Sequence, residues 1–242
     1  MFKMLTFLIC ILPLGPLKPF FLNKVGHSVH KNAKVGVSIV WGAKLIMKEG
    51  SRIKKLNIVR NKSISLEKNA TVGSLNYISG GFDIVLSEGA MIINLNSITR
   101  GRACWKEEVS FLKLGINSQI TSFASLDLAS NILIGNDTVL AGKGIQMWTH
   151  GFVHKKNRDR KMVVGAISIG NNVYVAARSA FNPGVSVSDD ISIGINTTVA
   201  KDLNLDGLYV SSPVRYISID PEAQLEKMKE VRVDGFSYFE KK

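Results

Sequence analysis

The sequence predicts an all-β solenoid, a stack of three-sided coils in which each side is one six-residue unit. The first observation is a period of six residues between Ile169 and Leu203. This period fits neither the 3.6-residue repeat of a helix nor the spacing of about 8 to 12 residues between the strands of a sandwich. It suits a short flat strand and a corner, repeated three times in each coil.

Two sets of positions define the period. The residues that lead each unit are apolar: Ile169, Val175, Phe181, Val187, Ile193 and Val199. The residues four positions later are apolar or small: Val173, Ser179, Val185, Ile191, Thr197 and Leu203. We expect both sets to face the interior of the solenoid.

The second observation is the type of residue between the leads. Corners need residues that are small or tolerate a positive φ. The sequence places these there: Gly170, Asn171, Asn172, Gly184, Asp189, Asp190, Gly194 and Asn196.

The same period extends toward the N-terminus in shifted phases. The leads of the first phase are Val29, Val35, Trp41, Met47, Ile53 and Val59, and those of the second are Leu66, Val72, Ile78, Ile84 and Ala90. The third phase is Ile116, Ser122, Leu128, Ile134 and Leu140, with Leu114, Ile120, Leu126, Ile132 and Thr138 as its secondary set. Because corner insertions explain such shifts, one solenoid domain is predicted over residues 25–217.

The net charge of +12 is concentrated near the N-terminus, where residues 1–60 contain eleven Lys or Arg residues and one acid, Glu49. Such a cluster favours an anionic partner: a membrane surface, a nucleic acid or the phosphates of a substrate. A nucleic acid is not expected, because no basic motif with interleaved aromatic residues accompanies the charge.

Residues 1–24 form an apolar and basic segment. Pro13, Pro16 and Lys18 interrupt its apolar run, and a spanning helix needs about 20 apolar residues, so a transmembrane helix is disfavoured. Two interpretations stay open. The segment lies in a membrane interface, or it is a helix that caps the solenoid; both need the same apolar face.

The two cysteines, Cys10 and Cys104, form neither a disulfide framework nor a zinc spacing, which favours a reducing compartment. We expect a cytoplasmic protein, free or peripheral on the cytoplasmic face of the inner membrane. Two further regions lie outside the period. Residues 147–166 are polar, basic and off phase, which predicts a loop that carries chemistry. Residues 218–242 contain Asp220 as N-cap and Pro221 after it, which predicts a C-terminal helix reaching Arg232, followed by a tail.

The stretch from Ile167 to Ile217 resembles a known family. Its run IGNNVYVAARSAFNPGVSVSDDISIGINTTVAKDL, followed by GLYVSSPVRYI, is similar to the C-terminal signature of hexapeptide-repeat acyltransferases. This family includes galactoside and maltose acetyltransferases and many polysaccharide O-acetyltransferases. The resemblance implies a left-handed parallel β-helix, acetyl-CoA as co-substrate, and a homotrimer with active sites between subunits.

The resemblance also implies that His150, in Thr149-His150-Gly151, is the catalytic base, although Gly151 replaces the usual proline. A neutral imidazole can take the proton of an acceptor hydroxyl at pH 7. Without the resemblance, a histidine in a loop is more often a surface residue. His154 is a reserve base or a ligand of the substrate.

Three residues near His150 are further candidates for the acceptor site. Asp127 and Asn131 orient the base or the acceptor, or else serve as solenoid corners. Trp148 stacks on a sugar or packs against the protein. No metal is expected, because zinc in a β-helical carbonic anhydrase relative would need a third histidine about 35 residues upstream, and none lies between His30 and His150.

By resemblance, coenzyme A lies along the C-terminal coils. Six positions match those that line it: Tyr174, Ala177, Ile195, Ala200, Lys201 and Arg215. Ala177 is the small residue against the pantetheine arm, and Arg215 is the basic residue that meets the nucleotide phosphates.

We therefore expect an acetyl-CoA-dependent O-acetyltransferase that modifies a hydroxyl of a bacterial surface polysaccharide or of its lipid-linked precursor. Two alternatives stay open: an N-acetyltransferase of a nucleotide-linked amino sugar, and a non-catalytic β-helix scaffold. The scaffold would keep its function when His150 is replaced by alanine.

Overall fold

The computed structural model of the 242-residue chain is a parallel β-solenoid. It describes residues 1–101, 109–154, 156, 158, 160–211, 226, 228–233 and 236–241. The chain divides into two compact units, residues 1–211 and 212–242. The solenoid lies in the first unit.

Three parallel sheets form the sides of the solenoid within the described residues. Sheet A contains eight strands: Ser28–Val29, Lys44–Met47, Ser63–Leu66, Phe82–Leu86, Ser110–Leu114, Ile132–Ile134, Ile167–Ile169 and Ser186–Val187. Sheet B contains nine: Lys34–Val35, Arg52–Ile53, Thr71–Val72, Met91–Ile92, Gln119–Ile120, Val139–Leu140, Tyr174–Val175, Ile191–Ile193 and Gly207–Tyr209. Sheet C contains eight: Ile39–Val40, Ile58–Arg60, Tyr77–Ser79, Ser97–Thr99, Ser125–Asp127, Gln146–Trp148, Ala180–Phe181 and Thr198–Val199.

Each coil contributes one strand to each sheet in the order A, B, C, and each strand pairs with its counterpart in the next coil. The predicted all-β parallel β-helix is thereby confirmed, and the stack is consistent with the left-handed winding that the resemblance implies. All six leads between Ile169 and Val199 are buried in one continuous apolar core. The secondary set from Val173 to Leu203 is buried as well.

Three predicted leads are wrong: Trp41 and Ile116 are exposed, and Ser122 is only half-buried. Val40, next to Trp41, occupies the inner position, since neighbouring residues of a strand point to opposite faces. Ile116 and Ser122 lie in corners beyond the strands Ser110–Leu114 and Gln119–Ile120, whose last residues are buried. Trp41 instead lies against Phe7 of the N-terminal helix, with ring centroids 5.9 Å apart.

Buried asparagines connect the coils at the corner between sheets B and C. The amide of Asn57 donates to the carbonyl oxygen of Gly73 at 2.7 Å, and its Oδ1 accepts the backbone N–H of Asn76 at 2.9 Å. Asn76 and Asn96 repeat the second contact one coil later, at 3.0 Å. This ladder satisfies polar groups that would be costly to bury without partners.

The same corner holds apolar residues in a left-handed backbone conformation. Leu56, Leu75, Leu95 and Phe123 have φ between +59° and +63°, and all four side chains are exposed. This conformation costs roughly 1 to 2 kcal/mol for a residue other than glycine. The asparagine ladder and the coil-to-coil hydrogen bonds hold the backbone in it.

Two helices close the N-terminal end of the solenoid. Helix α1 (Phe2–Ile11) packs on the strand Ile39–Val40, and helix α2 (Lys18–Val25) packs on Ser28–Val29. A single turn of 3₁₀ helix, Gly15–Leu17, joins them. Because Cys10 and Leu22 are part of the buried core, residues 1–24 cap the first coil.

A buried histidine joins this cap to the solenoid. His27 Nδ1 accepts the backbone N–H of Leu45 at 3.0 Å, so the proton lies on Nε2, which is 2.9 Å from the Thr6 hydroxyl oxygen. That hydroxyl donates to the carbonyl oxygen of Phe2. Burial, with a contribution from the charge of Lys44, lowers the pKa of His27 to about 4.

The second unit contains an antiparallel hairpin formed by Met228–Val233 and Phe236–Lys241. The predicted helix is therefore wrong over residues 228–232, while residues 220–225 lie outside the described part. Alternating Val231 and Val233 favour a strand, and the intervening Asp234-Gly235 sequence is typical of a two-residue hairpin turn. The turn residues themselves are outside the described part.

Acid should destabilise the protein through His27. The pKa of His27 is about 4 in the folded protein, against an ordinary 6.5, so between these values the unfolded chain binds more protons. Stability should therefore fall as the pH drops from about 6.5 to about 4, by up to about 3 kcal/mol. Chemical denaturation across this range measures the effect. His27→Gln keeps an acceptor and a donor but does not titrate, so its loss should be smaller; an equal loss would contradict the assignment.

Candidate active site

The predicted loop at residues 147–166 is a β-hairpin that leaves the solenoid. His150–His154 pairs antiparallel with Arg160–Val164, and the chain returns to sheet A at Ile167. Met147 and Trp148 still belong to a sheet C strand, with Met147 in the core. The insertion thus begins at His150.

Small residues allow the hairpin to leave and return at one corner. A Cβ added to Gly165 would lie 2.6 Å from the Cα of Gly184 in the next coil, so a larger residue would not fit there. A Cβ added to Gly151 would lie 3.8 Å from Pro183. The base of the hairpin therefore lies directly over the Pro183-Gly184 corner.

His150 is held by a buried carboxylate. Its Nδ1 lies 2.8 Å from Asp127 Oδ2, and the side chains of His150 and Asp127 are 29% and 6% exposed. A carboxylate only accepts hydrogen bonds, so Nδ1 carries the proton and donates it. Nε2 is then left with a lone pair, which is the form of imidazole that can act as a base.

Thr149 completes the support of the carboxylate. Its buried hydroxyl lies 2.9 Å from Asp127 Oδ2 and 2.8 Å from the Asp127 carbonyl oxygen, and it accepts the backbone N–H of Ser130. Asp127 ends a sheet C strand directly beside Trp148 of the next coil, so residues 149 and 150 pass over it. The scaffold therefore supplies the carboxylate, and the insertion supplies the imidazole.

An aromatic residue that the sequence analysis missed lies beside the base. The rings of Phe152 and His150 meet edge to face, with centroids 6.0 Å apart, and the Arg160 guanidinium lies 5.9 Å from the Phe152 centroid. Residues two apart on one strand share a face, so strand geometry could have pointed to Phe152. Thr149 carried no comparable signal, since its role depends on Asp127 of the preceding coil.

The other acceptor-site candidates are more dispersed. His154 is exposed at the far end of its strand, about 13 Å from His150 for four residues of extended chain. Asn131 Oδ1 accepts the backbone N–H of Phe111 at 3.1 Å, which ties it to a corner. Trp148 is exposed, and its indole N–H donates to Gln146. Of the four acceptor-site candidates, Asp127 alone forms a described side-chain contact with His150.

Three of the residues matched to coenzyme A, Tyr174, Ala177 and Ile195, lie on sheet B or at the corner between sheets B and C. Ala177 and Ile195 stack in successive coils between sheets B and C, and Asn196 N–H donates to the Ala177 carbonyl. Tyr174 and Ile195 are exposed. Ala200 and Lys201 are also exposed, but they follow the sheet C strand Thr198–Val199 and lie at the corner between sheets C and A, where the His150 hairpin leaves the solenoid. A Cβ added to Gly142 would lie 2.5 Å from that of Ala177, so a larger residue would not fit at position 142. Arg215 lies outside the described residues.

Within the part of the chain that the structure describes, no group of three or more His, Cys, Asp or Glu side chains could hold a metal ion. In the same residues, no helix is long and apolar enough to cross a membrane.

Comparison with known proteins gives relatives that are acetyltransferases. No family model matches the chain. Galactoside O-acetyltransferase of Escherichia coli strain K12 is 27% identical over 126 residues, which are 49% of this chain and 62% of that protein. The putative acetyltransferase YvoF of Bacillus subtilis strain 168 is 29% identical over 126 residues, covering 50% of this chain and 68% of YvoF. The chain thus spans less than two thirds of the galactoside enzyme.

A solved structure was also compared. The crystal structure of the polySia-specific acetyltransferase NeuO aligns with 78% of this chain and 87% of its own, at 15% identity and a TM-score of 0.44. The fold and the corner insertion define the class of this protein, a parallel β-solenoid of six-residue units. Its acetyltransferase relatives and its solenoid fit the hexapeptide-repeat acyltransferase family, which confirms the resemblance seen in Ile167–Ile217.

Removing the Thr149 hydroxyl should destabilise the site. Thr149→Val leaves the Ser130 N–H without its side-chain partner and removes one hydrogen bond from Asp127 Oδ2, which keeps the one from His150, at a cost of about 1 to 3 kcal/mol. Thr149→Ser keeps the hydroxyl and is the matched control. Urea denaturation of the two variants measures the difference, and equal stabilities would contradict the arrangement.

Proposed function

We propose that the protein is an acetyl-CoA-dependent O-acetyltransferase with His150 as general base. The observation that supports this proposal most directly is the 2.8 Å contact between His150 Nδ1 and Asp127 Oδ2. A buried carboxylate that fixes one imidazole nitrogen leaves the other free for proton transfer. The acetyltransferase names of the relatives agree with this chemistry.

In the proposed reaction, the acceptor hydroxyl gives its proton to His150 Nε2 while its oxygen attacks the thioester carbonyl carbon. The carbon–sulfur bond then breaks, and the coenzyme A thiolate leaves with the proton that His150 releases. Asp127 stabilises the imidazolium between these steps. Backbone N–H groups are the expected donors to the tetrahedral oxyanion.

Coenzyme A is proposed to bind along the corner between sheets B and C. Ala177 and Gly142 are small, and Tyr174 offers an exposed ring beside them. Ile195 is exposed in the same row and narrows the space available to the pantetheine arm. Lys201, an exposed cation suited to phosphates, lies at the corner between sheets C and A and would meet the cofactor from the side that carries His150. Arg215 is proposed to add a second cation at the nucleotide end.

A homotrimer would bring the two halves of this site together. His150 follows sheet C, whereas Ala177 precedes sheet C, so within one chain they lie on different corners. The hairpin also exposes Phe152, and the corner between sheets B and C exposes Leu95 and Phe123. Apolar surface of this kind favours association of chains. We propose that the imidazole of one chain faces the coenzyme A corner of its neighbour.

The proposed acceptor is a hydroxyl of a bacterial surface polysaccharide or of its lipid-linked precursor. The exposed face of Trp148 is suited to stacking on a sugar, with His154 as a further hydrogen-bonding group. The apolar and basic N-terminal segment is proposed to keep the cytoplasmic enzyme at the membrane, near such acceptors. An amino group as acceptor, or a scaffold without catalysis, would appear as a distinct outcome of the assay below.

The enzyme should release free thiol from acetyl-CoA in the presence of a glycan acceptor. His150→Ala should lower the rate by about 10² to 10⁴, the usual contribution of a general base. His154→Ala is the matched control and should lose far less. Thiol release with amino sugars alone would favour N-acetylation. No release with any acceptor, together with no effect of coenzyme A on Tm, would favour the scaffold.

Two inactive variants should complement each other if the site lies between chains. His150→Ala lacks the base, and Ala177→Trp blocks the proposed coenzyme A corner. In trimers assembled randomly from equal amounts of both, about one site in four should combine an intact His150 with an intact neighbouring corner. Co-expressed variants should therefore regain about a quarter of the wild-type rate. A mixture as inactive as its parts would place the whole site in one chain.

A further inference from the structure

The N-terminal cap, residues 1–25, turns its apolar side chains outward. Helix α1 buries Thr6 and Cys10 but exposes Met4, Leu5 and Leu8, with Met4 56% exposed. A helix that only closed a core would place its large apolar residues inward. The outward face of α1 is therefore suited to a second apolar environment.

The apolar surface continues beyond α1. Leu17 of the 3₁₀ turn is 58% exposed and Phe20 of α2 is 59% exposed, with Phe21 packed edge-on against Phe20. All three elements of the cap thus present exposed aliphatic or aromatic side chains at the N-terminal end of the solenoid. Exposed apolar side chains that cluster mark an interaction site.

A basic groove lies beside the cap. It is a cavity of about 850 Å³ that starts at Gly15 and Pro16 and runs along the first strands of sheet B. Five cations line it: Lys31, Lys34, Arg52, Lys54 and Lys55. All five are exposed, and among the described residues none of them forms an ion pair.

The pairing of the first two coils concentrates this charge. Lys34 and Arg52 are direct partners across neighbouring strands, an arrangement that is destabilising for like charges. Residues 1–48 contain no acid at all. An anion bound between Lys34 and Arg52 would relieve the repulsion, and phosphate oxygens suit both side chains.

We infer that the basic groove is a headgroup site for anionic phospholipid and that the cap rests on a bilayer surface. Met4, Leu8 and Phe20 lie among the acyl chains, and the groove receives a lipid phosphate. The ten residues of α1 span about 15 Å, so the helix lies in the interface and does not cross it. The inference rests on the membrane placement in the proposed function but not on its chemistry.

Vesicle co-sedimentation of the full chain tests the inference. Binding should be strong to phosphatidylcholine mixed with phosphatidylglycerol, weak to phosphatidylcholine alone, and reduced by salt. Lys34→Glu with Arg52→Glu should weaken binding to the anionic vesicles by about thirtyfold or more. Lys68→Glu with Lys113→Glu makes the same charge change at two exposed positions that do not line the groove, and this variant should bind like the wild type. Leu8→Gln with Phe20→Gln should also weaken binding, through the apolar face.

Three outcomes would overturn the inference: equal binding to both kinds of vesicle, equal loss in the groove and control variants, or displacement of vesicles by duplex DNA at low concentration. Circular dichroism confirms that each variant is folded. Acetyl transfer to a soluble acceptor is measured in parallel, and the groove variant should retain it. Vesicle binding without any acetyl transfer would contradict the proposed reaction but would still support the headgroup site.

Discussion

The stacking of one coil on the next is the constraint on which the rest of this protein depends. Every inner side chain must meet the same position of the neighbouring coils, and every strand must pair with its counterpart in the same register. The row from Ile169 to Val199 and the Asn57–Asn76–Asn96 ladder are two results of this requirement, one apolar and one polar. Additional chain can enter only at a corner, where it breaks no pairing.

This constraint explains how the candidate site is built. Asp127 sits at the end of a sheet C strand and is fixed by its coil, so the carboxylate has one position. His150 belongs to the inserted hairpin and could otherwise move with it. The hydrogen bond between His150 and Asp127 therefore fixes the imidazole, although His150 lies outside the stack of coils. For the proposed role of His150 as general base, this contact would limit the reorganisation that proton transfer requires.

The six-residue period predicted the stack of coils because each period corresponds to one side of a coil. The sequence also indicated His150 by resemblance and named Asp127 as one of two residues that could orient the base or the acceptor, and the structure brings these two side chains into contact. The period misplaced Trp41, because an error of one residue turns a strand side chain to the opposite face. It misplaced Ile116 and Ser122 because these residues lie in corners beyond the strand ends. The corner leucines were beyond such reasoning, since Leu56 and Leu75 adopt a conformation that the Asn57 ladder enforces and their own type disfavours. Thr149 and Phe152 depend on spatial neighbours that become visible only when the coils are placed side by side.

The number of coils fixes the distance along the solenoid axis between the capped end and His150. In sheet C, five steps separate the strand beneath the cap, Ile39–Val40, from Gln146–Trp148, which precedes His150. At about 4.8 Å per step, these strands are about 24 Å apart along the axis. Under the proposed membrane placement and the proposed glycan acceptor, His150 would reach sugars held at about that distance from the lipid and not those nearer to it. The loss or gain of a whole coil would then change which sugar unit of the acceptor is modified, while every residue around His150 stayed the same.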